Sequence, residues 1–213
     1  MYFTKLEISS CSNLRQACEL MNSPQMIDTL LAAGANIDQV FENGSALGIS
    51  AWRGKTELVR HLLRRGARTG LAGLDGYSDL HKAASRGHSE ICKVLVDHGG
   101  DIDQKHPITE QTALGMAVMW GQHHTVLTLL SLGADINQRS WLGLTALATA
   151  TQREDRLAIA VSLLEAGADP NLPDNNGAPP IQKAAQVDNV SVLKLLLEHG
   201  CDRDQVYKIQ KER

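Results

Sequence analysis

Gly76-Tyr77-Ser78-Asp79-Leu80-His81-Lys82-Ala83-Ala84-Ser85-Arg86-Gly87-His88, continued by Ile91, Val94, Leu95 and Gly99, is the stretch that decides the fold. Leu80, Ala83 and Ala84 stand at i, i+3 and i+4, the spacing of one helical face. Gly87 ends that helix, because glycine enters the left-handed conformation without a steric penalty. Ile91, Val94 and Leu95 open a second stripe, which Gly99 ends. The Asp-, Asn- and Gly-bearing segments on either side read as turns. The unit is therefore two short helices and a turn. Alanines let the first helix lie close to its neighbours, and leucines of the second fill the space behind. One such pair cannot bury its own apolar face, so it must stack on copies of itself.

The copies are present. Leu95-Val96-Asp97-His98-Gly99-Gly100 has counterparts in Leu30-Leu31-Ala32-Ala33-Gly34-Ala35 and Leu62-Leu63-Arg64-Arg65-Gly66-Ala67. Leu129-Leu130-Ser131-Leu132-Gly133-Ala134, Leu163-Leu164-Glu165-Ala166-Gly167-Ala168 and Leu196-Leu197-Glu198-His199-Gly200-Cys201 follow. Their glycines, at 34, 66, 99, 133, 167 and 200, are 32, 33, 34, 34 and 33 residues apart. This spacing predicts six units at 9–39, 40–72, 73–105, 106–139, 140–172 and 173–205, with a lead at 1–8 and a tail at 206–213. The first and fifth units carry one extra residue between their helices, so Met21-Asn22-Ser23-Pro24 and Gln152-Arg153-Glu154-Asp155 should protrude differently. Val192, Leu193, Leu195, Leu196 and Leu197 of the sixth unit have the apolar character of an internal repeat. Tyr207-Lys208-Ile209-Gln210 could then begin a further unit, or fold back as a cap.

The pattern resembles the ankyrin repeat family, whose period is about 33 residues and whose signature runs Gly-x-Thr-Pro-Leu-His-x-Ala-Ala. Gly143-Leu144-Thr145-Ala146-Leu147 and Gly177-Ala178-Pro179-Pro180-Ile181 are recognisable copies of it, and the likeness covers roughly residues 9 to 205. The signature proline survives at Pro180 and its histidine at His81. The first unit, around Ser12-Asn13-Leu14-Arg15-Gln16-Ala17, has lost most of the motif. The resemblance implies an all-α solenoid of stacked helix-turn-helix units with short β-hairpin-like turns.

Composition narrows the function. With 43% hydrophobic and 21% charged residues the chain has an ordinary globular mix. A net charge of −3, from 24 acidic and 21 basic residues, supplies no phosphate-tracking face, so nucleic acid is not the expected partner. No apolar run reaches the roughly 20 residues that span a bilayer, so no membrane is expected either. The first residues do not read as a signal peptide. Cys11, Cys18, Cys92 and Cys201 lack pairing or metal-ligand spacing and read as reduced thiols, which points to a reducing compartment, the cytoplasm, the nucleus or a host cytosol.

The chemical motifs have plainer explanations. Gly54-Lys55-Thr56 lacks the upstream glycine of a phosphate-binding loop, since residue 49 is isoleucine, and occupies an inter-helix turn. Asn43-Gly44-Ser45 and Asn189-Val190-Ser191 are glycosylation sequons in form but turn residues by position. His123 and His124 are adjacent and share no ligand face, and no metal or cofactor is expected. His98 and His199 stand where a donor suits the last helical carbonyls. No Ser/His/Asp, Cys/His or paired-carboxylate constellation emerges, so the chain is not expected to be an enzyme. Asn137 and Asn171 occupy a hairpin slot that in some ankyrin proteins is hydroxylated, each with a leucine eight residues earlier (Leu129, Leu163). Their simpler role is in the turn.

The aromatics carry the functional expectation. Residues five and six positions after the motif leucine fall about 140° and 240° around the helix, away from the buried stripe. Those slots hold Trp52-Arg53, Ser85-Arg86, Met119-Trp120 and Gln152-Arg153, while Phe41, Tyr77 and Trp141 precede the first helices. The ankyrin resemblance places both kinds of slot on a concave groove that contacts partners, and Trp and Arg are enriched at binding hot spots. The expectation is a monomeric scaffold or adaptor gripping another protein or peptide with a stripe of Trp, Arg and Trp. The alternative is the targeting or regulatory portion of a longer enzyme or ubiquitin-ligase adaptor.

Overall fold

In the computed structural model, residues 12–20 and 23–202 are described, with side chains from Leu14 onward. The expectations for the lead, for Cys11, for the Met21-Asn22 half of the first turn and for the tail beyond Asp202 lie outside them. The chain forms two compact units, Met1–Gln104 and Lys105–Arg213.

In the first unit the helices come in pairs: α1 (Ser12–Leu20) with α2 (Pro24–Ala32), α3 (Ala46–Trp52) with α4 (Thr56–Arg64), and α5 (Asp79–Arg86) with α6 (Ser89–Asp97). A two-residue hairpin, β1 (Val40–Phe41) and β2 (Gly44–Ser45), precedes α3, with Val40 opposite Ser45 and Phe41 opposite Gly44. First helices pack on first helices and second on second, α3 between α1 and α5, and α4 between α2 and α6. This explains the small residues: every residue of α3 from Ala46 to Ala51, and of α5 from Asp79 to Ala84, is buried. Leu47, Leu58, Leu62, Leu80, Ile91 and Leu95 fill the core between them. Removing such a side chain costs about 2–5 kcal/mol.

The second unit repeats the scheme with α7 (Ala113–Met119) and α8 (His123–Ser131), α9 (Ala146–Thr151) and α10 (Leu157–Glu165), and α11 (Pro180–Gln186) and α12 (Val190–Glu198). Leu114, Leu129, Leu147, Leu163, Ile181 and Leu196 form its core. The extra residue of the fifth repeat is absorbed by a single 3-10 turn, Glu154–Arg156, which leaves Gln152 to Asp155 exposed.

Side chains close the helix ends. Ser45, Ser78, Thr112 and Thr145 sit before the first helices and accept from the backbone N–H three residues on, those of Gly48, His81, Gly115 and Ala148. Such a cap contributes about 1 kcal/mol. Pro179 and Pro180 open α11 instead, where a proline N–H is not needed. The carbonyl ends of the first helices are tied by the next pair along. Lys55 Nζ donates to the Cys18 and Glu19 carbonyls (2.9 and 3.1 Å), and His88 Nε2 lies 3.3 Å from the Trp52 carbonyl. In the second unit Arg156 Nε donates to the Val118 carbonyl and Asn189 Nδ2 to that of Thr151.

Several motif residues are thereby accounted for. Lys55 is a helix tie, and Asn189 is buried and also caps α12 through Val192 N–H. His98 and His199 place Nδ1 2.8 and 2.9 Å from the carbonyls of Val94 and Leu195, as their positions suggested. His123 Nε2 is 2.9 Å from Ser162 Oγ. The Asn137 and Asn171 side-chain oxygens accept from the Asp169 and Asp202 N–H groups, joining consecutive turns. Cys18, Cys92 and Cys201 are buried free thiols. Burial pushes Cys18 up to about 11 and Cys92 up to about 12, out of the reactive range.

Candidate partner-binding site

The end of α3 in the first unit is where the buried stripe runs out. Leu47 points into the core, and five residues on, the Trp52 ring emerges half-buried at the last position of the helix. Exposed guanidiniums flank it: the Arg53 and Arg86 central carbons lie 4.7 and 4.3 Å from the ring centroid. Both contacts are in cation–π range, each contributing about 0.5–1 kcal/mol at an exposed site. Arg53 is the C-cap of α3 and Arg86 the last residue of α5, so adjacent first helices deliver the two cations to one indole. The backbone there is fixed by the His88 contact to the Trp52 carbonyl. Half-buried Ser85 turns its hydroxyl inward, donating to the Lys82 carbonyl at 2.9 Å.

Four other arginines of this unit hold carboxylates. Arg15 pairs with Glu19, Arg60 with Glu90, Arg65 with Asp28 and Arg68 with Asp38. His61 also reaches Asp28 at 2.7 Å, and its hydrogen bond, with that of Arg65, holds the Asp28 carboxyl below its ordinary value. Inside, Asp79 stands in the slot of the signature proline, and its carboxylate accepts from the Gly70 and Leu80 N–H groups. Burial nevertheless raises its pKa to about 6, and the backbone donors and Lys82 only partly oppose that. Lys82, itself buried, binds the Asn43 carbonyl and Asp75 (3.1 Å), clamping the β1–β2 hairpin and the turn before α5 onto that helix. Phe41 and Tyr77 are half-buried. Tyr77 meets His81 edge-on, with centroids 6.1 Å apart, and His81 Nδ1 lies 2.7 Å from Ser78 Oγ.

The second unit presents apolar surface in the same slots. Met119 ends α7 and Trp120 caps it, the latter 59% exposed. Trp141, 64% exposed, sits at a hairpin tip whose backbone is held on both sides. Its N–H donates to the Thr109 carbonyl at 2.9 Å, and its carbonyl accepts from Asn175 Nδ2 at 2.7 Å. Gln152 caps α9 and donates to the Ala148 carbonyl. Arg153 is exposed but paired with Asp155 at 3.2 Å, and Arg156 also binds that carboxylate. Arg153, then Arg156, hold the Asp155 pKa down. In the sixth repeat burial pushes Asp174 up, but Lys183 and the N–H groups of Ala178 and Asn176 more than offset it.

Of the predicted residues, the structure brings together Trp52, Arg53 and Arg86, with Ser85 beside them at the end of α5, while Phe41 and Tyr77 precede α3 and α5 at the opposite helix ends. In the second unit Met119 and Trp120 end α7, Gln152 and Arg153 follow α9, and Trp141 lies in the turn before it. Sequence reasoning missed Leu74, Ile108 and Leu142, exposed apolar residues at hairpin tips, the first two 87% and 76% exposed. Leu74 and Trp141 each stand two residues before a hairpin glycine, Gly76 or Gly143. Ile108 does the same, but Glu110 replaces the glycine and hides the match. His106 organises that tip, its Nδ1 accepting from the Ile108 and Thr109 N–H groups. Among the described residues no group of three or more His, Cys, Asp or Glu side chains is placed to hold a metal ion, and no helix is long and apolar enough to cross a membrane.

This architecture has close company among known sequences. The family pattern described as ankyrin repeats (three copies) matches residues 14–106, 47–140 and 114–207. Human ankyrin repeat and SOCS box protein 6 is 34% identical over 130 residues, 58% of this chain and 31% of the relative. A putative ankyrin repeat protein of fowlpox virus is 35% identical over 132 residues, 61% of this chain and 38% of the relative. The ankyrin repeat and KH domain-containing protein mask-1 of Caenorhabditis elegans is 31% identical over 155 residues, 72% of this chain and 6% of the relative. The chain therefore spans well under half the length of these curated relatives. With the repeating helix pairs, their caps and the family pattern in agreement along the array, the chain belongs to the ankyrin repeat family.

Proposed function

We propose that this protein-interaction module grips a partner protein or peptide through the first-helix ends and hairpin tips, acting by binding and not by catalysis. The carrying observation is Trp120: a large ring, 59% exposed, at a helix end whose backbone is tied by Arg156. Covering such a ring removes a large apolar area from water. Trp141 and Met119 in the same unit, and Trp52 with its two arginines in the first, extend the reading to the other predicted contacts. Phe41, Tyr77, Ser85, Gln152 and Arg153 are assigned to the rim. The mechanism is preorganisation: packed helix pairs hold the contact side chains before binding, so less conformational entropy is lost on association. The buried free thiols support a reducing compartment, cytoplasmic or nuclear.

Affinity capture with the wild type and a Trp52→Ala/Trp120→Ala variant tests this reading. A partner retained by the first and lost by the second supports it, provided both proteins fold. Equal capture by both refutes it. A second reading, that the array is the targeting or regulatory portion of a longer enzyme or ubiquitin-ligase adaptor, is favoured by the relatives, whose names join ankyrin repeats to a SOCS box or a KH domain.

A further inference from the structure

Arginines in the first unit follow two different rules. Arg15, Arg60, Arg65 and Arg68 each hold a carboxylate, and Arg64 donates to the Arg60 carbonyl. Arg53 and Arg86 do neither. One comes from the C-cap of α3 and one from α5, yet both guanidiniums meet the same indole, and both residues are exposed. In a protein with more acidic than basic residues, leaving these two cations unneutralised is selective. The corresponding arginine of the second unit shows the contrast, since Arg153 is satisfied by Asp155 in its own turn.

We propose that the Trp52–Arg53–Arg86 cluster is a docking site for an acidic segment of a partner protein, with aspartate or glutamate carboxylates received by the two guanidiniums. The inference rests on the interaction-module reading above and specifies its chemistry in the first unit. Charge complementarity selects the occupant. A guanidinium presents a planar fork of donors that matches a carboxylate with two parallel hydrogen bonds. Stacking on Trp52 restrains both forks, so less side-chain freedom is lost when a carboxylate arrives. The half-buried indole that both contact adds an apolar contact for the side chain that precedes or follows the acid. Two forks at one ring suit closely spaced carboxylates. They do not form the long basic track that a nucleic acid backbone requires.

The test uses the full chain and a displayed library of random dodecapeptides. Wild type is expected to select peptides rich in Asp and Glu. Synthetic copies of them should bind with an affinity that falls as salt rises. Arg53→Gln/Arg86→Gln should weaken them by about tenfold or more, the loss of one charge-assisted hydrogen bond or its equivalent. Arg53→Lys/Arg86→Lys, which keeps the charge but not the fork, should recover only part of that affinity. Both variants alter exposed side chains, and an unchanged circular dichroism melting curve confirms the fold. Selected peptides that are neutral or apolar, or acidic peptides that bind the Gln variant as well as wild type, overturn the inference. If such peptides instead depend on Trp120, the interaction-module reading survives without it. If phosphorylated peptides of the same sequence bind through these arginines while the Asp and Glu forms do not, the site belongs to phosphate and the inference is again overturned. Selection of no peptide at all contradicts both readings.

Discussion

Asp79 is a carboxylate in a place that favours an uncharged group, so Asp79→Asn is expected to stabilise the protein at neutral pH. Burial raises the folded-state pKa from 3.8 to about 6, even with N–H donors from Gly70 and Leu80 and the charge of Lys82 opposing it. The unfolded chain keeps the ordinary value of 3.8, so the folded protein holds the proton more tightly. Stability contributed by the protonated acid is complete below pH 3.8, declines as the pH rises toward 6, and is absent above it. Each pH unit between the two values corresponds to about 1.4 kcal/mol, so the window is worth roughly 3 kcal/mol. Asparagine keeps an oxygen acceptor for both N–H groups and carries no charge. The variant should match wild type near pH 4 and exceed it by about 2–3 kcal/mol at pH 7.5. Urea unfolding followed by circular dichroism across this range measures the difference. Subtracting the two curves removes Asp28, Asp155 and Asp174, whose lowered pKa values act in the opposite sense, adding stability that is lost as the pH falls. A variant less stable than wild type at pH 7.5, or a gap that does not change with pH, would refute the reasoning. Either result would mean that the bonds to the anion outweigh its burial.

Substitutions at two further sites probe places where the chain departs from its own repeat. Thr125 is buried in the slot that Leu58 and Ile91 fill in the first unit, and its hydroxyl has no hydrogen-bond partner. Thr125→Val should therefore stabilise by about 1 kcal/mol in urea unfolding, and a loss would show that the hydroxyl is satisfied. Glu110 adopts φ 51 where the equivalent turns use Gly76, Gly143 and Gly177. Glu110→Gly should raise stability by about 1 kcal/mol and Glu110→Val lower it, since the left-handed region penalises a Cβ and most of all a branched one. Equal stabilities for the three proteins would show that the turn carries no strain.

Much of the fold was legible because the helical stripes and the glycine phrases are written six times. Leu80, Ala83 and Ala84 announce a buried helix face, and Ser78 and Gly87 announce its two ends. The outward direction of Trp52 and Trp120 follows from the same arithmetic. The ties between pairs were not legible, because they depend on which long side chain reaches which carbonyl. Lys55 and Arg156 perform the same task from different sequence positions, the latter only after a 3-10 turn absorbs an inserted residue. The double cation–π contact at Trp52 likewise needs α3 and α5 side by side, which spacing implies but does not measure. Ile108 went unnoticed because Glu110 occupies the glycine position that marks a hairpin tip. The buried charge of Asp79 was hidden in a slot where the family signature has proline.

Trp120→Ala offers the most direct test that the exposed rings are contact residues, measured as paired stability and partner affinity. Because the ring is largely in water and its neighbours are tied through backbone carbonyls, the isolated protein should lose under about 1 kcal/mol in urea unfolding. Affinity for the captured partner, measured by isothermal titration calorimetry, should fall by about 2 kcal/mol or more, as at a binding hot spot. The contradictory result is the inverse one: a stability loss of roughly 3–5 kcal/mol with affinity unchanged, which would assign Trp120 to the core.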